Sequence, residues 1–419
     1  MVRPFGLALI TVLILTACGT RSSAATPSNR TTPSRSASTT PEATASATAS
    51  ATPTASATVA VTPPTVNVRC KTGLPTASLL LIGPYPAAGS FLYEVTDPIH
   101  PKLICHITGT YVHVVNDDSI AYLKPVSPGE TDVVVRSLQT GSETTAESLT
   151  FGLPNEVWES VSWRADGSLV AYTVQPTEGN IGSVVKVWLY ANHANMQLTT
   201  YPLPIADCIC RFGLPNPTSD LSPDGQYLVV GWPIGKGGNP LAAFRVADRS
   251  LVTTFDRSVV SARWDRAGHR LFLIGQSGVQ SWTPEAGVTA LAGTSQWSFM
   301  PSLSPDGQQV AYTAYADQSQ GLLRVYVYDL ASAKTRMLST QSRSQVFFAK
   351  AGWVWYLDEA SCDPNSSNCG PWATAPNGRV FAQDLATGHE TEVIFAPGEA
   401  PVSATESGAF ELQDLWPLQ

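Results

Sequence analysis

Residues 220–232 read DLSPDGQYLVVGW, and residues 302–314 read SLSPDGQQVAYTA. Each is a short strand, a Ser-Pro-Asp-Gly turn and a second, β-rich strand. Gly supplies the positive φ of a tight turn, and Asp tolerates it. The same pattern recurs as VSWRADGSLVAYTV (161–174) and ARWDRAGHRLFLIG (262–275), and more weakly as HVVNDDSIAYL (113–123) and FFAKAGWVWYL (347–357). The turn markers Ser119, Gly167, Gly225, Gly268, Gly307 and Gly352 are 39 to 58 residues apart.

A strand, a polar turn and another strand follow each copy. These second hairpins span 133–149, 187–203, 242–255, 279–292, 324–338 and 379–395. A seventh, SFLYEVTDPIHPKLICHI (90–107), precedes the first turn marker. The repeat is therefore a four-stranded sheet of roughly 40–50 residues, the size of a β-propeller blade. One blade cannot bury both its faces, so blades stack around a ring. Seven outer hairpins against six inner ones leave the first blade, starting at ASLLLIG (77–83), without an innermost strand. The segment ending in SATESGAFELQDLWPLQ (403–419) supplies it and closes the ring, which removes exposed sheet edges. The expected fold is all-β, a propeller of seven four-stranded blades. Six is the alternative, if residues 78–107 form an extra ribbon.

SPDGQYLVV and SPDGQQVAY resemble the repeat of TolB-type propellers and of the propeller in dipeptidyl-peptidase-IV-like proteins. The resemblance covers most of residues 78–395, and two copies keep the full Ser-Pro-Asp-Gly. The motif specifies a turn and a packed strand, not an activity. The TolB resemblance implies an envelope-assembly or sensory scaffold. The peptidase resemblance stops at the propeller, because no hydrolase domain follows the repeats.

Working outward, residues 1–17 read as a signal peptide. Arg3 gives a short positive n-region, and the apolar run from Phe5 to Ala17 is too short to span a bilayer. Leu15-Thr16-Ala17-Cys18 resembles a bacterial lipobox, which implies a lipidated Cys18 at the mature N-terminus. Two or more acyl chains would hold it stably to a bilayer. Residues 18–66 are the lipidated Cys and a tether. From Gly19 to Val66 there are 22 Ser or Thr, 11 Ala and 6 Pro, and no aromatic, Leu or Ile. Such a segment cannot bury enough apolar surface to order itself. It is an unmodified spacer or an O-glycosylated stalk. Residues 67–419 are the propeller domain.

Charged residues make up 14% of the chain, and its net charge is −8. Four Arg and one Glu lie before residue 67, which leaves the propeller near −11. A domain this acidic is repelled by anionic lipid and lacks the basic face of a nucleic-acid binder. Seven Cys are present. With Cys18 lipidated, six remain in an oxidising compartment, and proximity suggests Cys70 with Cys105, Cys208 with Cys210 and Cys362 with Cys369. The 208–210 ring is strained, and a redox or metal-binding thiol pair competes with it.

The six His residues lack the i, i+4 spacing of a helical metal motif. Residues 275–279 depart from the nucleophile elbow, since Val279 stands where Gly is needed. No catalytic residue, metal or cofactor is assigned. What remains is loop position. Loops between second and third strands share one face with the blade-to-blade connections, and the Asp-Gly turns occupy the other. The long irregular segments 175–183, 204–219, 232–240, 315–322 and 359–378 all fall on the shared face and carry Arg211, Trp232, Lys236 and Trp372. Trp and Arg are interface-anchoring types, although each Trp could instead pack on a neighbouring blade. The expected function is a non-catalytic module, displayed outside the cytoplasm, that binds a protein or glycan partner. A hydrolase or lyase is the competing reading.

Overall fold

The computed structural model describes residues 65–85, 89–127, 129–150, 156–176, 184–202, 218–232, 239–294, 298–317, 322–359, 376–401 and 409–416. Within them the chain forms seven antiparallel sheets in sequence order around a ring.

Blade 1 contains β1 (Asn67–Cys70), β2 (Leu79–Tyr85), β3 (Gly89–Glu94) and β4 (Lys102–Thr108). Blade 2 is β5 (Val112–Asn116), β6 (Ser119–Ser127), β7 (Glu130–Ser137) and β8 (Glu143–Thr150). Blade 3 is β9 (Glu156–Trp163), β10 (Leu169–Pro176), β11 (Val184–Ala191) and β12 (Ala194–Pro202). Blade 4 is β13 (Thr218–Leu221), β14 (Tyr227–Trp232), β15 (Asn239–Arg245) and β16 (Leu251–Thr254). Blade 5 is β17 (Val259–Trp264), β18 (Leu271–Gly275), β19 (Gly278–Thr283) and β20 (Gly287–Ala290). Blade 6 is β21 (Ser298–Leu303), β22 (Gln309–Asp317), β23 (Leu322–Asp329) and β24 (Lys334–Met337). Blade 7 is β25 (Arg343–Lys350), β26 (Trp353–Glu359), β27 (Pro376–Asp384) and β28 (Glu390–Glu392). The last strand, β29 (Ala409–Trp416), returns to blade 1 and pairs with β2 as its innermost strand. The count is seven, and the C-terminal segment closes the ring as its sequence suggested.

The second strand of each blade explains the packing. It is covered on both sides, so it reads as a near-continuous apolar run instead of an alternating one. Leu79 and Leu81 of β2 pack toward blade 2, and Leu80 and Ile82 toward blade 7. In β18, Leu271 and Leu273 face blade 4 while Phe272 and Ile274 face blade 6. The buried apolar side chains among the described residues fall into seven clusters, one at each blade–blade boundary. The hydrophobic core is a wheel of seven interfaces.

The Ser-Pro-Asp-Gly turns are held by one repeated network. The Ser222 hydroxyl donates to Asp224 Oδ1 (2.6 Å) and accepts the Tyr227 amide (2.9 Å), while Asp224 Oδ1 also accepts the Gln226 amide (3.0 Å). Ser304, Asp306, Gln308 and Gln309 repeat it at 2.5, 2.9 and 3.0 Å. Blade 5 reaches the same end without the Ser. There Asp265 stands at the first position, and its Oδ1 accepts the His269 and Arg270 amides directly. This is how Asp-Arg-Ala-Gly substitutes for Ser-Pro-Asp-Gly. Gly268 has φ +75°, and a Cβ there would come within 3.0 Å of Asp224 on the preceding blade. Glycine is required both by the turn and by the neighbouring turn.

The structure adds a fifth strand to blade 1. β1 lies outside β4, with Cys70 opposite Cys105, and the two form a disulfide. The Lys71 amide then donates to the Ile104 carbonyl, and the Gly73 amide to Leu138 of blade 2. The bridge closes a 35-residue separation, which corresponds to about 3–4 kcal/mol of chain entropy removed from the unfolded state. Replacing both cysteines with Ser is expected to cost roughly that much. Urea unfolding of the pair variant against wild type, each without reductant, measures it. Cys208, Cys210, Cys362 and Cys369 lie outside the described residues.

Candidate binding face

Alternating strand direction sorts the connections between two ends of the ring. Turns from first to second and from third to fourth strand emerge at one end, here the turn face. Connections from second to third strand and from blade to blade emerge at the other, the loop face. On the turn face the chain reverses tightly, as at Asn192-His193, both at positive φ. The loop face carries the longest connections, from Pro202 to Thr218, from Glu359 to Pro376 and from Glu392 to Ala409, beside short ones such as Ser127 to Glu130 and Gly275 to Gly278. Asp317 of β22 pairs with Leu322, and Glu359 of β26 pairs with Pro376. The five long segments marked in the sequence all join strand ends on this face. Their margins extend the strands, since 175–176, 218–219, 239–240, 315–317 and 376–378 are ladder residues.

Trp232 is the last residue of β14, opposite Asn239, which places its backbone at the loop face. Arg211, Lys236 and Trp372 lie outside the described residues, as does Cys18.

Sequence reasoning missed a buried charge cluster that runs across blade 7 on its face toward blade 6. Arg343 opens β25, and its side chain is 8% exposed. Its guanidinium donates to Asp358 at the end of β26 and to Glu390 Oε1 at 2.8 Å. The guanidinium carbon also lies 4.4 Å from the centre of the Phe381 ring. The Tyr356 hydroxyl donates to Glu390 Oε2 at 2.6 Å. Burial pushes the Tyr356 phenol far above its ordinary range, and the Glu390 hydrogen bond and charge add to it. Burial alone would raise the Glu390 carboxyl, but the Arg343 and Tyr356 hydrogen bonds and the Arg343 charge outweigh it and hold it low. Tyr356 and Phe381 belong to the cluster between blades 6 and 7, so this network polarises a blade boundary. Its members lie up to 47 residues apart, and no local motif announces them.

The turn-face mouth carries a second unforeseen arrangement. Trp416, at the end of β29, donates from Nε1 to Asp117 Oδ1 of blade 2 at 2.7 Å. The guanidinium of Arg266, from the turn of blade 5, stands 4.3 Å from the Trp416 ring centre.

The histidines are not brought together. His106 on β4 stacks on Phe91 at 4.2 Å, and His113 on β5 meets Trp163 edge-on at 4.8 Å. Burial, with the Arg69 charge, holds the His106 imidazole below its ordinary value. Among the described residues no three His, Cys, Asp or Glu side chains gather as metal ligands.

No protein-family model matches the chain, and no curated protein matches its sequence. Among solved structures it aligns with TolB from Acinetobacter baumannii at 14% identity over 79% of each chain, with a TM-score of 0.37. It aligns with a prolyl endopeptidase at 13% identity over 84% of this chain and 50% of that one, TM-score 0.44. The Pyrococcus horikoshii acylaminoacyl peptidase gives 13% identity, 74% and 48% coverage, and a TM-score of 0.42. The chain thus spans about half the length of either peptidase. Likenesses this distant carry no argument for activity or partner. The propeller assignment stands on the strand pairing.

Proposed function

We propose that this chain is a lipoprotein held at the extracytoplasmic face of a bacterial cell membrane, and that its propeller is a non-catalytic binding or scaffold module for a protein or glycan. The observation that carries the reading is that the longest connections, from Pro202 to Thr218, from Glu359 to Pro376 and from Glu392 to Ala409, all leave and rejoin the ring on one face. Long connections on a rigid scaffold are where binding residues concentrate. The lipobox-like LTAC at 15–18 and the uncharged tether support the anchor, and the net −11 of residues 67–419 keeps the propeller itself off anionic lipid.

Two measurements test it. Cys18→Ala is expected to move the full-length protein from the membrane to the soluble fraction, and a variant that stays with the membrane overturns the anchor. In pull-downs and glycan arrays, combined Ala substitution of Arg211, Trp232, Lys236 and Trp372 is expected to abolish capture, and unchanged binding overturns the face. The Ser-Pro-Asp-Gly repeats favour a second reading, an envelope-assembly or sensory component. A propeller hydrolase would draw on carboxylates such as Asp317, Glu359 and Asp363, and sustained turnover of glycosides or peptides would establish it.

A further inference from the structure

The contacts of Trp416 cross the ring. The residue is rooted in the innermost strand of blade 1, its indole N–H is held by Asp117 of blade 2, and its ring is met by Arg266 of blade 5. Blades 1 and 5 are separated by two blades on one side and three on the other. A side chain from one that touches a side chain from the other therefore passes near the middle of the channel. All three residues sit at the turn-face end. Trp416 pairs with Leu79 where β2 leaves that face, Asp117 follows β5 there, and Arg266 follows β17 there.

We propose that Trp416 and Arg266 form a crossbar that closes the channel at the turn face, making it a well entered from the loop face. Asp117 fixes the indole plane through a charge-assisted hydrogen bond. Arg266, exposed at the rim, covers the ring by cation–π attraction. A partner then inserts one protruding segment from the loop side and cannot thread the ring. This rests on the loop face being the binding side and adds which mouth is open.

The cover over the Trp416 ring reads the crossbar. In the full-length protein, oxidation of the Trp416 indole by N-bromosuccinimide is followed at residue 416 by peptide mapping, which separates it from the other tryptophans. Arg266→Ala, a change at an exposed side chain, is expected to speed that oxidation at least fivefold. Arg266→Lys, which keeps a cation over the ring, is expected to restore most of the protection. Equal oxidation rates with and without Arg266→Ala overturn the crossbar. The two readings fail separately. A partner mapped to the loop face with unchanged oxidation removes the crossbar alone. Faster oxidation with a partner mapped to the turn face removes the binding-face reading alone.

Discussion

Deleting residues 409–419 is expected to abolish the single cooperative unfolding transition. The deletion takes away β29, the strand that pairs with β2 from Leu79 to Tyr85. Leu79, Leu80, Leu81 and Ile82 are fully buried, and the inner edge of β2 would open to the channel. Leu415 packs into the clusters on both sides of blade 7, and Trp416 into the one between blades 1 and 2. Those two side chains alone represent on the order of 3–6 kcal/mol, an upper figure because both are half-buried. The lost ladder adds to it. Domains of ordinary stability hold about 5–15 kcal/mol in total, so the truncated ring is expected to be open and prone to edge-to-edge association. Calorimetry with size-exclusion chromatography measures this. A truncated chain that stays monomeric and melts within a few degrees of wild type would show that closure is unimportant.

Arg343→Ala is expected to cost about 3–5 kcal/mol, because it takes the guanidinium from Glu390 at a blade boundary and leaves Asp358 with the more exposed Arg379 at 3.5 Å. Arg343→Met, which fills the space without a charge, should show how much of that loss is packing and how much is unpaired charge. Acid titration supplies the sharper test. In the wild type the folded Glu390 carboxyl lies below its ordinary value. Its contribution is therefore present above the unfolded carboxylate value, near pH 4.3, and is lost as pH falls through the lower folded value. Without Arg343, burial dominates and the carboxyl moves up. Acid unfolding of both variants should then begin at a higher pH than in wild type. An unshifted acid limb in Arg343→Ala would show that the ion pairs are unimportant to stability.

Much of the architecture is legible in the chain because its determinants are local. Asp224-Gly225 and Asp306-Gly307 mark turns through backbone geometry within a few residues. YLVV and LFLI announce strands buried on both faces through composition alone. Counting six inner hairpins against seven outer ones was enough to infer that the C-terminal segment returns to blade 1. The proximity of Cys70 and Cys105 suggested their pairing. The strand β1 that carries Cys70 was not foreseen, since four residues of mixed polarity give no periodic signal.

The arrangements that single out places on the ring were not legible. Arg343, Asp358 and Glu390 are ordinary charged residues in their own segments, and only the packing of blade 7 against blade 6 buries them together. Trp416 and Arg266 are 150 residues apart on blades that share no boundary, and the closing of the circle brings them into contact. The sequence by itself determined the repeat and its turns and favoured seven blades over six, because each depends on chain geometry over a few residues. The tertiary structure decided which charges are buried and which mouth of the channel is crossed, because both depend on distances set by the whole ring.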